Sequence, residues 1–149
     1  MRMEFDTRIE APPDRVWPWL VETERMQRWM AGLESVEPLT PGGPRVGARA
    51  RMAIREGGRL ATYESELLEC AEPRLLALAL TGAHWKGLSM RVRYELVKES
   101  GGTRLRYACE CVTDRTLYRV MFKLFGWFAK RQAKSFMQKL KSLAEARPG

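Results

Sequence analysis

The stretch R-T-L-Y-R-V-M-F-K-L-F-G-W-F-A-K-R-Q-A-K-S-F-M-Q-K-L-K-S-L-A-E-A, Arg115 to Ala146, decides the fold. At about 100° per residue, Leu117, Met121, Leu124, Phe125, Phe128, Phe136 and Leu143 fall on one broad side of a helix. Arg119, Lys123, Lys130, Lys134 and Lys141 form a basic stripe on the other. A long helix following a run of alternating segments reads as a clamp laid over a cavity. The apolar arc also takes in Tyr118, Val120, Phe122 and Trp127, so this half must meet more than one apolar surface or stay partly exposed. A straight helix of this length would be about 48 Å long, longer than a compact domain of this size is wide, so a bend or break is expected near Gly126.

Upstream, residues 3–11 alternate cleanly. Met3, Phe5, Thr7, Ile9 and Ala11 take one face and Glu4, Asp6, Arg8 and Glu10 the other, the pattern of a half-buried strand. Pro12 and Pro13 end it. Pro13 suits the first turn of a helix carrying Val16, Trp17, Trp19 and Leu20, which Pro18 keeps short. Thr23 is placed to cap a second short helix through Met30, and Gly32 stops it. After a short strand at 33–37, P-L-T-P-G-G-P (Pro38 to Pro44) is a loop. Further strands are expected at 46–55, 59–70, 75–81, 88–98 and 103–113, and Thr113 or Asp114 is placed to cap the last helix.

With 149 residues, of which 45% are hydrophobic, the chain fits one domain spanning 1–149. The opening M-R-M-E-F-D-T-R-I-E has no continuous apolar run, which argues against a secretory signal and predicts a cytoplasmic protein. The most apolar stretch, Leu117 to Ala129, is interrupted by Arg119 and Lys123 and falls short of the ~20 residues a membrane span needs. Cys70, Cys109 and Cys111 imply no disulfide framework. A single histidine, His84, in the loop G-A-H-W-K-G, with no C-x-x-C or H-x-x-x-H spacing, predicts no metal site and leaves acid–base catalysis little to work with. No other cofactor is implied. The net charge of +8 does not read as nucleic-acid binding. Arg49, Arg51, Arg55, Arg91, Arg93, Arg104 and Arg106 alternate with apolar residues and interleave with Glu64, Glu66, Glu95 and Glu110, the pattern of a solvated sheet face with cross-strand ion pairs.

Several motifs in this order resemble one family. They are I-E-A-P-P-D-R-V-W (Ile9 to Trp17), the helix Met26 to Trp29, P-G-G-P-R-V-G (Pro41 to Gly47), Y-E-S-E-L-L-E-C-A-E-P-R (Tyr63 to Arg74), Y-E-L (Tyr94 to Leu96) and G-G-T-R-L-R-Y (Gly101 to Tyr107). The chain resembles the START-like, or Bet v 1-like, helix-grip superfamily (SRPBCC), particularly its bacterial polyketide cyclase/dehydrase and lipid-transport branch. The resemblance implies an α+β fold: a curved antiparallel sheet of about seven strands wrapped around the C-terminal helix, with the two short helices closing one end of a cavity. It also implies a hydrophobic small-molecule ligand, but no universal set of catalytic residues, so function rests on this chain's own cavity.

Alternation marks an inward set: Met52, Ile54, Tyr63, Ser65, Leu78, Leu80, Met90, Val92, Tyr94, Tyr107, Cys109 and Cys111. The helix is expected to add Leu117, Met121, Leu124, Phe125 and Phe128, with Trp29 and Met30 bordering the entrance. The result is an apolar chamber with a few hydroxyls, suited to orienting an oily ligand such as a lipid, isoprenoid, quinone or polyketide. The same residues could instead fill a core, and the cysteines read as small buried hydrophobes. The leading function is non-catalytic binding or transport. The alternatives are a cyclase/aromatase-type enzyme using Tyr63, Tyr94 or Tyr107, and a chaperone-regulating interaction module. The basic helix stripe is either a solvated face or attracted to an anionic membrane surface. Nothing in the sequence addresses oligomeric state.

Overall fold

Strong period-two alternation separated by Gly-rich turns builds most of this molecule, and the computed structural model describes residues 1–82 and 86–146 of it. The elements are β1 (Arg2–Ile9), α1 (Pro13–Val21), α2 (Thr23–Trp29), β2 (Leu33–Pro38), β3 (Arg49–Glu56), β4 (Arg59–Ala71), β5 (Leu75–Gly82), β6 (Leu88–Glu99), β7 (Gly102–Thr113) and α3 (Thr116–Glu145). They form the α+β helix-grip arrangement, with one seven-stranded antiparallel sheet in the order β1-β7-β6-β5-β4-β3-β2. Successive hairpins place β2 to β7 side by side, and β1 returns to pair with β7, Phe5 opposite Tyr107. Gly57 and Gly58, both at positive φ, make the tight β3–β4 turn that side chains with a Cβ resist. Register irregularities at Leu33/Ser35 in β2 and Leu67/Glu69 in β4 mark where those strands bend.

The outer face carries the expected ion pairs. Arg49 reaches Glu64 at 2.7 Å, Arg55 reaches Glu34 at 2.7 Å and Arg104 reaches Asp6 at 3.1 Å. Arg104 and Arg8 also converge on Glu99 at 2.6 and 2.8 Å. Their hydrogen bonds hold the Glu99 carboxyl below its ordinary value of 4.5. A carboxylate depressed in the folded state contributes stability that is complete above its unfolded value and lost as pH falls through the folded one. We therefore expect Glu99→Gln to flatten the acid side of a plot of thermal midpoint against pH, with no change in its shape above neutrality. An unchanged acid limb would remove this network from the account.

α3 packs against β1 and both short helices. Its inward stripe runs Tyr118, Phe122, Gly126, Ala129, Ala133, Met137, Leu140 and Ala144, a helical period on which Met137, Leu140 and Ala144 are fully enclosed. The C-terminal end is fastened to the β1–α1 corner. Glu10 N–H donates to Glu145 Oε2 at 2.7 Å, Lys141 Nζ approaches the same oxygen at 2.6 Å, and the Arg15 guanidinium donates to the Ala146 carbonyl at 2.9 Å. Burial pushes the Glu145 carboxyl up, but Lys141 and the Glu10 N–H outweigh it and hold the carboxyl below its usual range.

Three local expectations are corrected. First, α3 is not broken at Gly126; it runs unbroken for 30 residues, about 45 Å at 1.5 Å per residue. Gly126 sits on the inward stripe, where an added Cβ would lie 3.0 Å from Met1 Sδ. That neighbour is the free end of a flexible side chain, and alanine is about 1 kcal/mol better than glycine inside a helix. Gly126→Ala should therefore raise stability by about 0.5 kcal/mol in denaturant unfolding, whereas a loss would mean that the close approach dominates. Second, the helix caps differ: Glu22 and Arg115 hold the N-cap positions of α2 and α3 without side-chain caps, although Thr113 Oγ1 accepts the Arg115 N–H at 3.1 Å. Third, β3 begins at Arg49, later than expected, because Gly47 at φ 89° still belongs to the connection.

Candidate functional site

β3 to β6 present one continuous inward surface because side chains on a strand alternate and the hairpin registers keep parity aligned. Met52 lies opposite Tyr63, Ser65 opposite Leu80, Leu78 opposite Val92, and Leu76 opposite Tyr94. Above this surface sits a cavity of about 260 Å³. Its floor is Ala50, Met52, Ser65, Leu67, Leu76, Leu78, Leu80, Val92 and Tyr94. Its wall is Leu20 and Val21 from the end of α1 with Met26 and Trp29 of α2 and Met30 just past its end, and its exposed rim is the β2–β3 connection at Gly42, Gly43 and Pro44. Three methionines (Met26, Met30 and Met52) line it, unbranched side chains that adapt to varied apolar shapes.

Two aromatic residues set the polar character of this space. Trp29 is fixed in place, its Nε1–H donating to the Trp19 carbonyl at 2.8 Å, and it meets Tyr94 edge-on at 6.5 Å. Tyr94 is also held by Tyr107, whose ring centroid lies 5.4 Å away. The Tyr94 hydroxyl has no hydrogen-bond partner among the described residues, yet none of their buried side-chain polar atoms is both sealed off and unpartnered. The hydroxyl therefore keeps some access to open space, and Tyr94 is one of the residues that line the cavity. Burial pushes its pKa well up, so at neutral pH it is an uncharged phenol, able to donate one hydrogen bond and accept another. Ser65 Oγ makes only a long 3.5 Å contact to the Ala50 carbonyl and keeps capacity for another partner. Among the described lining residues Arg49 is the one charged side chain, and Glu64 engages it at 2.7 Å.

Of the side chains expected from the sequence, Trp29, Met30, Met52, Ser65, Leu78, Leu80, Val92 and Tyr94 come together on this cavity. Ile54, Tyr63, Met90, Tyr107, Cys109 and Cys111 stand on the same sheet face but outside the lining. Ile54 and Tyr63 pack in a small cluster with Leu33, and the Tyr63 hydroxyl donates to Glu56 at 2.7 Å. Tyr107 stacks on Phe5 at 4.9 Å. Its phenol is pushed up by burial and then by Tyr94, and the Cys111 thiol by its hydrogen bond with Cys109 and by burial. His84 and Trp85 lie outside the described residues.

The helix residues expected in the chamber are placed elsewhere. No residue of α3 lines the cavity, so it lies between the sheet, the short helices and the β2–β3 connection, not between sheet and α3. Leu117, Leu124, Phe125 and Phe128 are each at least 60% exposed and Met121 is 38% exposed. The reason is rotation about the helix axis: β1 and the short helices are approached through the stripe containing Gly126, Ala129 and Ala133, whose small side chains permit close packing. Sequence reasoning missed Ala50, Leu67 and Leu76, which share parity with named neighbours and were open to detection by extending the alternation. It also missed Leu20, Val21, Met26 and the rim, which no local period marks. Among the described residues no group of His, Cys, Asp or Glu is placed to hold a metal ion.

Comparison with known proteins supports this architecture. A family model described as polyketide cyclase / dehydrase and lipid transport matches residues 2–145. No curated protein sequence matches the chain. Among solved structures, TTHA0849 from Thermus thermophilus is 18% identical, with a TM-score of 0.76 and all of both chains covered. MLL2253 from Mesorhizobium loti is 21% identical at TM-score 0.72, with 96% of each chain covered. The Bet v 1-like neighbour Ara h 8.0201 is 12% identical at TM-score 0.73, with 97% of each covered. At these identities the likeness is one of fold.

Proposed function

Because the chain belongs to the polyketide cyclase / dehydrase and lipid transport family, we propose that it binds and carries a compact hydrophobic small molecule in the cavity beneath α2. The observation that carries this reading is Tyr94, which lines a largely apolar space and whose hydroxyl has no partner among the described residues. Such a group is costly to bury unless something hydrogen-bonds it, and a ligand with one carbonyl or hydroxyl supplies that bond. At about 260 Å³ the cavity lies just below the ~300–1,000 Å³ range of such sites. This favours a ring system or short chain, such as a quinone head or a small polyketide, over a long-chain lipid.

Binding is preferred to catalysis on the chemistry of the lining. Its one charged side chain among the described residues is already engaged by Glu64, and Tyr94, held neutral by burial, is a weak proton donor. The test is calorimetric titration with 2-naphthol and with naphthalene. Tyr94→Phe should weaken 2-naphthol by roughly three- to tenfold, the worth of one hydrogen bond, and leave naphthalene unchanged. Equal effects on both probes, or none on either, would remove Tyr94 as the polar anchor.

A further inference from the structure

The charge imbalance of this protein is concentrated in its last long segment. From Arg115 to Ala144 the chain carries eight Lys and Arg and no Asp or Glu; elsewhere 18 Lys and Arg balance all 18 Asp and Glu, so the net charge of +8 is that of this segment, which is Arg115 and α3 up to the residue before Glu145. On the sheet, Arg2, Arg8, Arg49, Arg55 and Arg104 all have carboxylate partners. On α3 only Lys141 has one among the described residues. The same helix exposes Leu117, Leu124, Phe125, Trp127 and Phe128, each at least 60% accessible, with Trp127 and Phe128 in edge contact at 5.4 Å. Exposed apolar area on this scale, contiguous along one helix, marks an interaction surface.

We propose that this face of α3 docks on an anionic lipid bilayer, with Leu117, Leu124, Phe125, Trp127 and Phe128 inserted at the level of the headgroups and the neighbouring lysines and arginines against lipid phosphates. Charge complementarity selects this partner. A second copy of the chain pressed face to face would bring two sets of unneutralised cations together, whereas an anionic surface neutralises them. Aromatic and leucine side chains beside Lys and Arg are the makeup of a helix lying in the interface plane. Among the described residues no helix is long and apolar enough to cross a membrane, so the association is peripheral. The docking is independent of what the cavity holds, and its test uses no cavity ligand.

The experiment is co-sedimentation of the full chain with phosphatidylcholine vesicles and with vesicles containing about one-third phosphatidylglycerol. Binding should favour the anionic vesicles by about tenfold or more and fall with added salt. Trp127→Glu with Phe128→Glu should abolish it, and Lys123→Glu with Arg131→Glu should weaken it at least about tenfold, each with an unchanged thermal midpoint because these side chains are exposed. Equal binding to both vesicle types, or binding indifferent to both double variants, overturns the proposal. So does light scattering that finds a dimer dissolved by the Trp127/Phe128 variant, which would assign the face to a second copy.

Discussion

Leu78→Trp combined with Leu80→Trp is expected to lower affinity for a cavity ligand by about a hundredfold or more, equivalent to about 2.8 kcal/mol. Both leucines point from β5 into the space beneath α2, on the parity shared with Val92 and Met90 of β6. Two indoles there occupy volume that a ligand would use. Because they enter a cavity and not a filled core, the usual penalty of about 1–3 kcal/mol for overpacking should be largely avoided. A thermal midpoint close to that of the parent, measured beside the titration with 2-naphthol, separates occlusion from misfolding. Undiminished affinity in a folded double variant would place binding elsewhere on the molecule.

The second large effect concerns stability and the rotation of α3. Leu140 is completely buried, in one core cluster with Ile9, Val16 and Leu105, so Leu140→Ala should cost about 3 kcal/mol through lost burial and the hole left behind. Leu124, on the same helix but 61% exposed, should lose less than about 0.5 kcal/mol as Leu124→Ala. Denaturant unfolding of the pair reads the orientation directly. If the two variants lost similar stability, or Leu124→Ala lost more, the inward stripe assigned to α3 would be wrong.

That contrast also explains how far the fold could be read from the amino-acid order. Strand parity follows from backbone geometry alone, so residues such as Met52, Ser65, Leu78, Val92 and Tyr94 fell on the inner face as alternation required, and the hairpin turns kept the registers aligned. Helix rotation has no such guarantee when a helix is apolar on several sides. The bulky arc of Leu117, Leu124, Phe125 and Phe128 outweighed the quieter line of Gly126, Ala129 and Ala133, yet the small residues are the ones that let α3 approach its neighbours. Gly126 read as a breaker for the same reason: its closeness to Met1 is a tertiary fact. The cavity wall from α1 and α2 and the Gly42–Pro44 rim depend on how separate elements meet, which periodicity within any one of them does not encode.

The central claim, a hydrophobic ligand beneath α2, is tested most directly by native mass spectrometry of freshly purified protein, followed by solvent extraction. The parent chain should carry a discrete adduct of compact apolar chemistry that the Leu78/Leu80 double variant lacks and the Trp127/Phe128 surface variant retains. An adduct held equally by the cavity variant, or a parent chain whose mass stays unshifted after exposure to quinones, isoprenoids and aromatic polyketides, would contradict the claim.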